Sequence, residues 1–129
     1  MYWSFIYKGK KYYSWGQPRT LPKELVTELK PDYSVKTYSG EEIKKGDKVL
    51  FMMQGDSSLG MGDTIWLITF MREIYRIKGR RQCEMHFSSN KTMHDFYSNF
   101  LPKSFKFVDE FLTEEEFKSY DHILPSMYY

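Results

Sequence analysis

At 129 residues the chain is long enough for one compact domain that buries roughly two thirds of its unfolded surface, so folding requires neither a disulfide nor a metal. A formal net charge of +2 is too small to signal a nucleic-acid partner, and the single cysteine, Cys83, excludes an internal disulfide framework or a cysteine-based zinc site. The aromatic share of 19%, with eleven Tyr and ten Phe, points to broad half-polar contact surfaces beside the core.

Charge is unevenly spread. Residues 1–50 carry ten Lys/Arg against six Asp/Glu and residues 51–129 carry nine against eleven, which reads as a solvated surface with some polarity. No apolar run approaches the roughly 18 residues of a membrane span, and the N-terminus lacks the apolar stretch of a secretory signal. A cytosolic protein without a membrane span is expected.

In chain order, residues 3–7 and 12–15 are aromatic-rich strands of a hairpin, with Gly9 free to take positive φ in the turn. Thr20 caps an expected short helix over 22–29, where Pro22 occupies an early position that needs no N–H, and Pro31 ends it. Residues 34–47 read as a second small hairpin or a strand and turn. The texture then changes: 49–53 is a continuous apolar run, as in a parallel strand covered on both faces. A helix over 64–78 follows, with Ile65, Ile68, Met71, Ile74 and Tyr75 at helical spacing and Gly79 as its stop. Leu67 and Phe70 widen its apolar surface, so cover on two sides is expected.

Beyond it the sequence predicts a strand over 82–87, a turn and cap over 88–91, a helix over 92–100 ended by Pro102, and a strand over 104–108. Thr113 with Glu116 forms a capping box for a helix running to about residue 120, and residues 121–124 form a last strand. Cys83 falls in a strand, as a buried and inert thiol. The alternation from residue 48 onward specifies an α/β fold: a three-layer, Rossmann-like parallel sheet of about four strands (47–129), with an aromatic β-hairpin and helix extension over 1–46.

The most informative stretch is the glycine-rich loop between the first parallel strand and its helix, which begins at Asp63 or Thr64. Backbone N–H groups and a helix N-terminus converge there. Gly55 and Gly60 have the spacing of a phosphate-binding P-loop, but Met61-Gly62 stands where Lys-Ser/Thr is required, so NTP hydrolysis is not expected. Gly60-Met-Gly62 opens a dinucleotide fingerprint, but Ile65 replaces the third glycine and no acidic residue closes the second strand, so NAD or FAD is not expected either.

Ser57-Ser-Leu-Gly-Met-Gly-Asp63-Thr64, directly after that strand, resembles the N-terminal half of heptosyltransferase-type glycosyltransferases of the GT-B architecture. Tyr38-Ser-Gly40-Glu-Glu-Ile43 resembles the lead-in of related proteins, and the likeness covers roughly residues 38–100. It implies sugar transfer from a nucleotide-sugar to an acceptor hydroxyl, with Asp63 as the catalytic base and Ser57, Ser58, Gly60, Gly62 and Thr64 lining the site. No cofactor is implied beyond the nucleotide-sugar, which is substrate. The alternative for Asp63 is a plain helix N-cap, and for the glycines a plain turn. A GT-B enzyme has two such halves, and this chain accommodates one, so the likeness also implies a companion donor domain or chain.

His86, at the C-terminal end of the second parallel strand, is a further candidate for substrate binding, because open α/β sheets take ligands near strand C-termini. His86, His94 and His122 are too scattered for a metal site. His94 with Asp95 reads as a surface pair, and Arg72 and Arg76 as solvated charge. Lys8, Lys10 and Lys11 among Tyr and Trp imitate a single-strand nucleic-acid platform, but a docking hairpin explains them equally well. The competing reading is a non-catalytic α/β interaction or scaffold subunit of a larger, for example viral, assembly. Its hairpin and open sheet edge would bind a companion chain or further copies of itself.

Overall fold

A computed structural model describes residues 1–18, 20–35, 38–52, 61–79 and 83–125. Its strands form two four-stranded sheets, one antiparallel and one parallel, with helices interspersed.

The antiparallel sheet grows from the N-terminal hairpin. Strands β1 (Tyr2–Tyr7) and β2 (Lys10–Trp15) pair through a two-residue turn in which Lys8 has φ 50° and Gly9 φ 75°, the twist that suits a tight hairpin. The helix expected over 22–29 does not form. A single 3-10 turn over Lys23–Leu25 leads into strand β3 (Val26–Pro31), which pairs antiparallel with β1. An eight-residue helix is marginal alone, whereas β1 offers a row of unpaired backbone groups, and the branched side chains of Val26 and Thr27 suit a strand. The pairing slips between Ser4 and Ile6, where Glu28 takes φ 52° in a bulge. Pro31, with no N–H to donate, closes this edge strand. No strand appears among the described residues of 34–47; Gly46 turns the chain at φ 88° instead.

The parallel sheet is built from β4 (Lys48–Met52), β5 (Glu84–Ser88), β6 (Lys106–Val108) and β8 (His122–Pro125), in the order β6-β5-β4-β8. The chain steps outward from β4 to β5 to β6, then returns to the other side of β4. Helix α1 (Met61–Ile74), extended by a π turn over Tyr75–Gly79, connects β4 to β5, and α2 (Lys91–Ser98) connects β5 to β6. Asn90 caps α2 by accepting the Met93 N–H at 3.0 Å. Short α3 (Glu114–Lys118) carries the expected capping box: Thr113 Oγ1 accepts from Glu116 N and Glu116 Oε1 from Thr113 N, both at 3.2 Å.

Alternation along β4 shows how both faces are covered. Val49 and Phe51 enter a core with Leu67 and Met71 of α1, Tyr97 of α2, and Phe105. Leu50 and Met52 enter a second core with Tyr2, Tyr13 and Trp15 of the hairpin, Leu112, and Phe117 of α3. The second face is thus covered mainly by the antiparallel sheet and not by a full helical layer. A two-residue strand, β7 (Leu112–Thr113), locks that sheet to the rest by pairing with β2. Helix α1 buries only one side: Leu67 and Met71 are buried, while Ile65 and Trp66 are exposed.

Candidate functional site

In an open parallel sheet the strand carboxyl ends leave main-chain groups and loop side chains free to meet a ligand, above all where the strand order reverses. Here the reversal lies between β4 and β8. Residues 53–60, which follow β4 in the chain, lie outside the described residues, and Ser57, Ser58 and Gly60 with them. Gly62, Asp63 and Thr64 belong by their backbone to the first turn of α1, which begins at Met61. Asp63 is therefore the third helical residue and not the residue preceding the helix. A first-turn position still favours negative charge.

His86 is placed away from this edge. It is the third of five residues in β5, level with Leu50 and Lys106, two residues short of the carboxyl end at Ser88. The imidazole is nearly buried, with Nδ1 2.8 Å from the Tyr120 hydroxyl and the two rings edge to face. Its Nε2 lies 3.0 Å from Glu84 Oε1, a contact that becomes an ion pair when the imidazole is protonated. Glu84 in turn accepts from Lys106 Nζ at 2.7 Å, and the Lys106 ammonium first, His86 second, hold its carboxyl down at about 2.

The carboxyl edge is richer where β5 and β6 end. Ser88 Oγ donates to the Asp109 carbonyl at 2.6 Å and Ser89 N to the Val108 carbonyl at 3.3 Å, tying the two strand exits together. Beside them is a cavity of 310 Å³. One wall is polar, made by Ser89, Asn90 and Lys91 at the start of α2 and by Asp109 and Glu110 after β6. The rest of the lining is aromatic apart from Leu21. Phe5 stacks on Tyr12 at 5.8 Å and meets Phe111 edge-on at 5.7 Å, and Tyr7 lies edge-on to Tyr12 at 6.3 Å. Glu110 accepts from Thr20 Oγ1 at 3.3 Å, and burial pushes its carboxyl above the usual range, outweighing that bond. A carboxyl with a raised pKa in a cleft suits proton transfer, and flat rings beside polar groups suit a ligand with one apolar and one hydroxylated face.

Asp109 and Glu110 were missed in the sequence, although two acids directly after a strand are a readable signal. That Tyr7 and Tyr12 share a cavity with them depends on how the hairpin docks, which no local pattern encodes.

His94 Nε2 is 3.0 Å from the Val108 carbonyl and its ring packs on Phe107, so its partners lie on β6 and the surface pair expected with Asp95 is not what holds it. Arg76 pairs with Glu73 one turn away. Cys83 stands one residue before β5, half-buried, its thiol 3.5 Å from the Lys44 carbonyl. Among the described residues no group of three metal-ligating side chains occurs, and no helix is long and apolar enough to cross a membrane.

No protein-family model, curated protein or solved structure matches this chain.

Proposed function

We propose that the chain is a glycosyltransferase-like acceptor half-domain of the GT-B kind, with a Rossmann-like parallel sheet whose carboxyl edge receives a sugar acceptor. The observation that carries this reading is the cavity where β5 and β6 end. A sugar ring presents C–H bonds on one face and hydroxyls around its rim, and the cavity brings together the rings of Tyr7 and Tyr12 with Asp109, Glu110 and Asn90. The first-turn position of Asp63, after the exit of β4 at the same carboxyl edge of the sheet, is compatible with it. In this reading Asp63 accepts the proton of the acceptor hydroxyl as the new bond to the anomeric carbon forms and the nucleotide leaves the donor sugar. A companion domain or chain holds the nucleotide-sugar, and a cytosolic setting suits a chain with a single cysteine, Cys83.

Saturation-transfer NMR with a panel of mono- and disaccharides tests the binding step. Transfer to a sugar, lost on Tyr12→Leu, is the expected result; silence across the panel would remove the basis for the proposal. The chemical step is tested by Asp63→Asn in a complex reconstituted with a donor domain, where transfer should fall by about a hundredfold or more.

The second reading, an interaction subunit, is favoured by a specific feature. Ile65, Trp66 and Ile77 on α1 and its π turn, and Phe96 and Phe100 at α2, are large apolar side chains left exposed. A concentration-dependent oligomer in sedimentation, abolished by Trp66→Glu, would support it.

A further inference from the structure

A larger cavity, of 520 Å³, lies at the opposite, amino edge of the parallel sheet, where α3 passes into β8. It shares no lining residue with the carboxyl-edge cavity, and its volume is within the roughly 300–1,000 Å³ of small-molecule sites. Four aromatic residues, Tyr13, Tyr38, Phe117 and Tyr120, and two aliphatic ones, Val35 and Ile123, line it. The tyrosine hydroxyls are engaged within the protein. Tyr13 donates to Glu114 Oε2 at 3.3 Å and Tyr38 to the Glu41 carbonyl at 2.7 Å, while the Tyr120 hydroxyl meets His86 Nδ1 at 2.8 Å. A ligand there meets ring and aliphatic surface.

The charges at this cavity are occupied by one another. Both carboxylate oxygens of Glu41 accept from Ser39, its N–H and its hydroxyl, at 2.9 Å. Lys118 and Lys11 share the carboxylate of Glu114 at 3.6 and 3.4 Å, and His122 faces Asp47 at 2.8 Å. Asp121 Oδ2 accepts the Lys48 N–H at 2.8 Å, while the Lys48 ammonium sits 4.7 Å from the centre of the Tyr120 ring and donates to Ser119 Oγ at 3.2 Å. Acids and bases thus meet in partnered sets, and neither sign prevails. Burial first, then Glu116 and Glu84, push the Tyr120 hydroxyl up to about 12, so this wall stays uncharged at neutral pH.

We propose that this amino-edge cavity binds an uncharged planar aromatic molecule, packed against the rings of Tyr38, Phe117 and Tyr120. An uncharged ring gains by leaving water for apolar walls, and offset or edge-on contacts between rings add to that gain. A charged molecule gives up its hydration for a site whose acids and bases already hold one another, and so gains nothing from its charge.

The test is an NMR titration of the full chain with indole and, separately, with tryptamine and indole-3-acetate, which carry the same ring with an ammonium or a carboxylate attached. Indole should shift the ring resonances of Tyr38, Phe117 and Tyr120, and neither charged analogue should bind more tightly than indole. A tighter cation or anion would reveal a free counter-charge and overturn the proposal. Shifts confined to Tyr7 and Tyr12 would seat the ring in the carboxyl-edge cavity, and these, or no shifts on folded protein, would overturn it as well. Tyr38→Leu, which keeps apolar surface and removes a ring, should weaken indole about fivefold. Val35→Asp, which places a charge in the apolar wall, should weaken it about tenfold or more. If both folded variants bind indole like the parent, the ring is seated elsewhere and the proposal fails. If one variant does not fold, the other decides.

Discussion

Asp47 and His122 join the entrances of two adjacent parallel strands: Asp47 Oδ2, one residue before β4, lies 2.8 Å from Nε2 of His122, the first residue of β8. The same carboxylate oxygen accepts the Lys44 N–H at 2.8 Å, closing the turn at Gly46. One side chain therefore sets both the turn and the start of the pairing between β4 and β8.

The Lys44 N–H first, and His122 second, hold the Asp47 carboxyl below its ordinary value of 3.8. A carboxyl depressed in the folded state stabilises it at pH values above that ordinary value, and the contribution is lost as pH falls through the folded pKa. Asp47→Asn should lower the melting midpoint at neutral pH, and the gap to the parent should narrow as pH drops below about 4. Melting curves from pH 7 to pH 2 check this. A gap of constant size would mean that the effect is steric and not due to charge.

Tyr2 carries a hydroxyl that burial leaves without a hydrogen-bond partner among the described residues, and burial pushes its pKa far up. The ring itself is well placed, edge-on to Trp15 at 4.8 Å and to Phe117 at 5.7 Å. Tyr2→Phe keeps those contacts and removes the desolvated group, so stability should rise by about 1 kcal/mol in urea denaturation. A fall would mean that a bound water holds the hydroxyl.

The reciprocal contacts of Thr113 and Glu116 sit where β7 passes into α3, so they couple the hairpin sheet to the helix that buries Phe117. Thr113→Ala should cost about 1 kcal/mol, and a double-mutant cycle with Glu116→Ala should show non-additivity of about 0.5 kcal/mol or more. Strict additivity would mean that the two contacts act independently.

The capping box was legible because all of its information lies within four residues. The parallel strand at β4 was legible for a related reason: five consecutive apolar-rich residues fit a strand covered on both faces. The segment over 26–31 was misread because its local signals, a cap, a proline and a distant stop, describe a helix. The free edge of β1 decides its state, and that edge is more than fifteen residues away in sequence. The carboxyl edge divides in the same way. Asp109 and Glu110 follow a strand that the sequence locates, while the rings that share their cavity depend on the antiparallel sheet that β7 fastens in place. His86 could be assigned to its strand but not to its partners Tyr120 and Glu84, which reach it from the far side of the chain order and from the strand's first residue.

Glu110 joins a cost in stability to the proposed acceptor site at the carboxyl edge. Burial raises its carboxyl above the ordinary value of 4.5, so the folded state prefers it neutral. Below that value the residue is neutral in both states. As pH rises from about 4.5 through the folded pKa, the unfolded chain ionises first and the protein loses stability. Glu110→Gln removes this loss while leaving an oxygen for Thr20, so the variant should melt higher than the parent at pH 7 and should match it near pH 4. In the proposed acceptor site the same exchange removes an acceptor for sugar hydroxyls, and saccharide affinity should fall about tenfold. Paired melting and saccharide titrations at pH 7 separate the two effects. A variant that gains stability yet binds sugar like the parent would leave Glu110 as a burden on the fold with no share in the site.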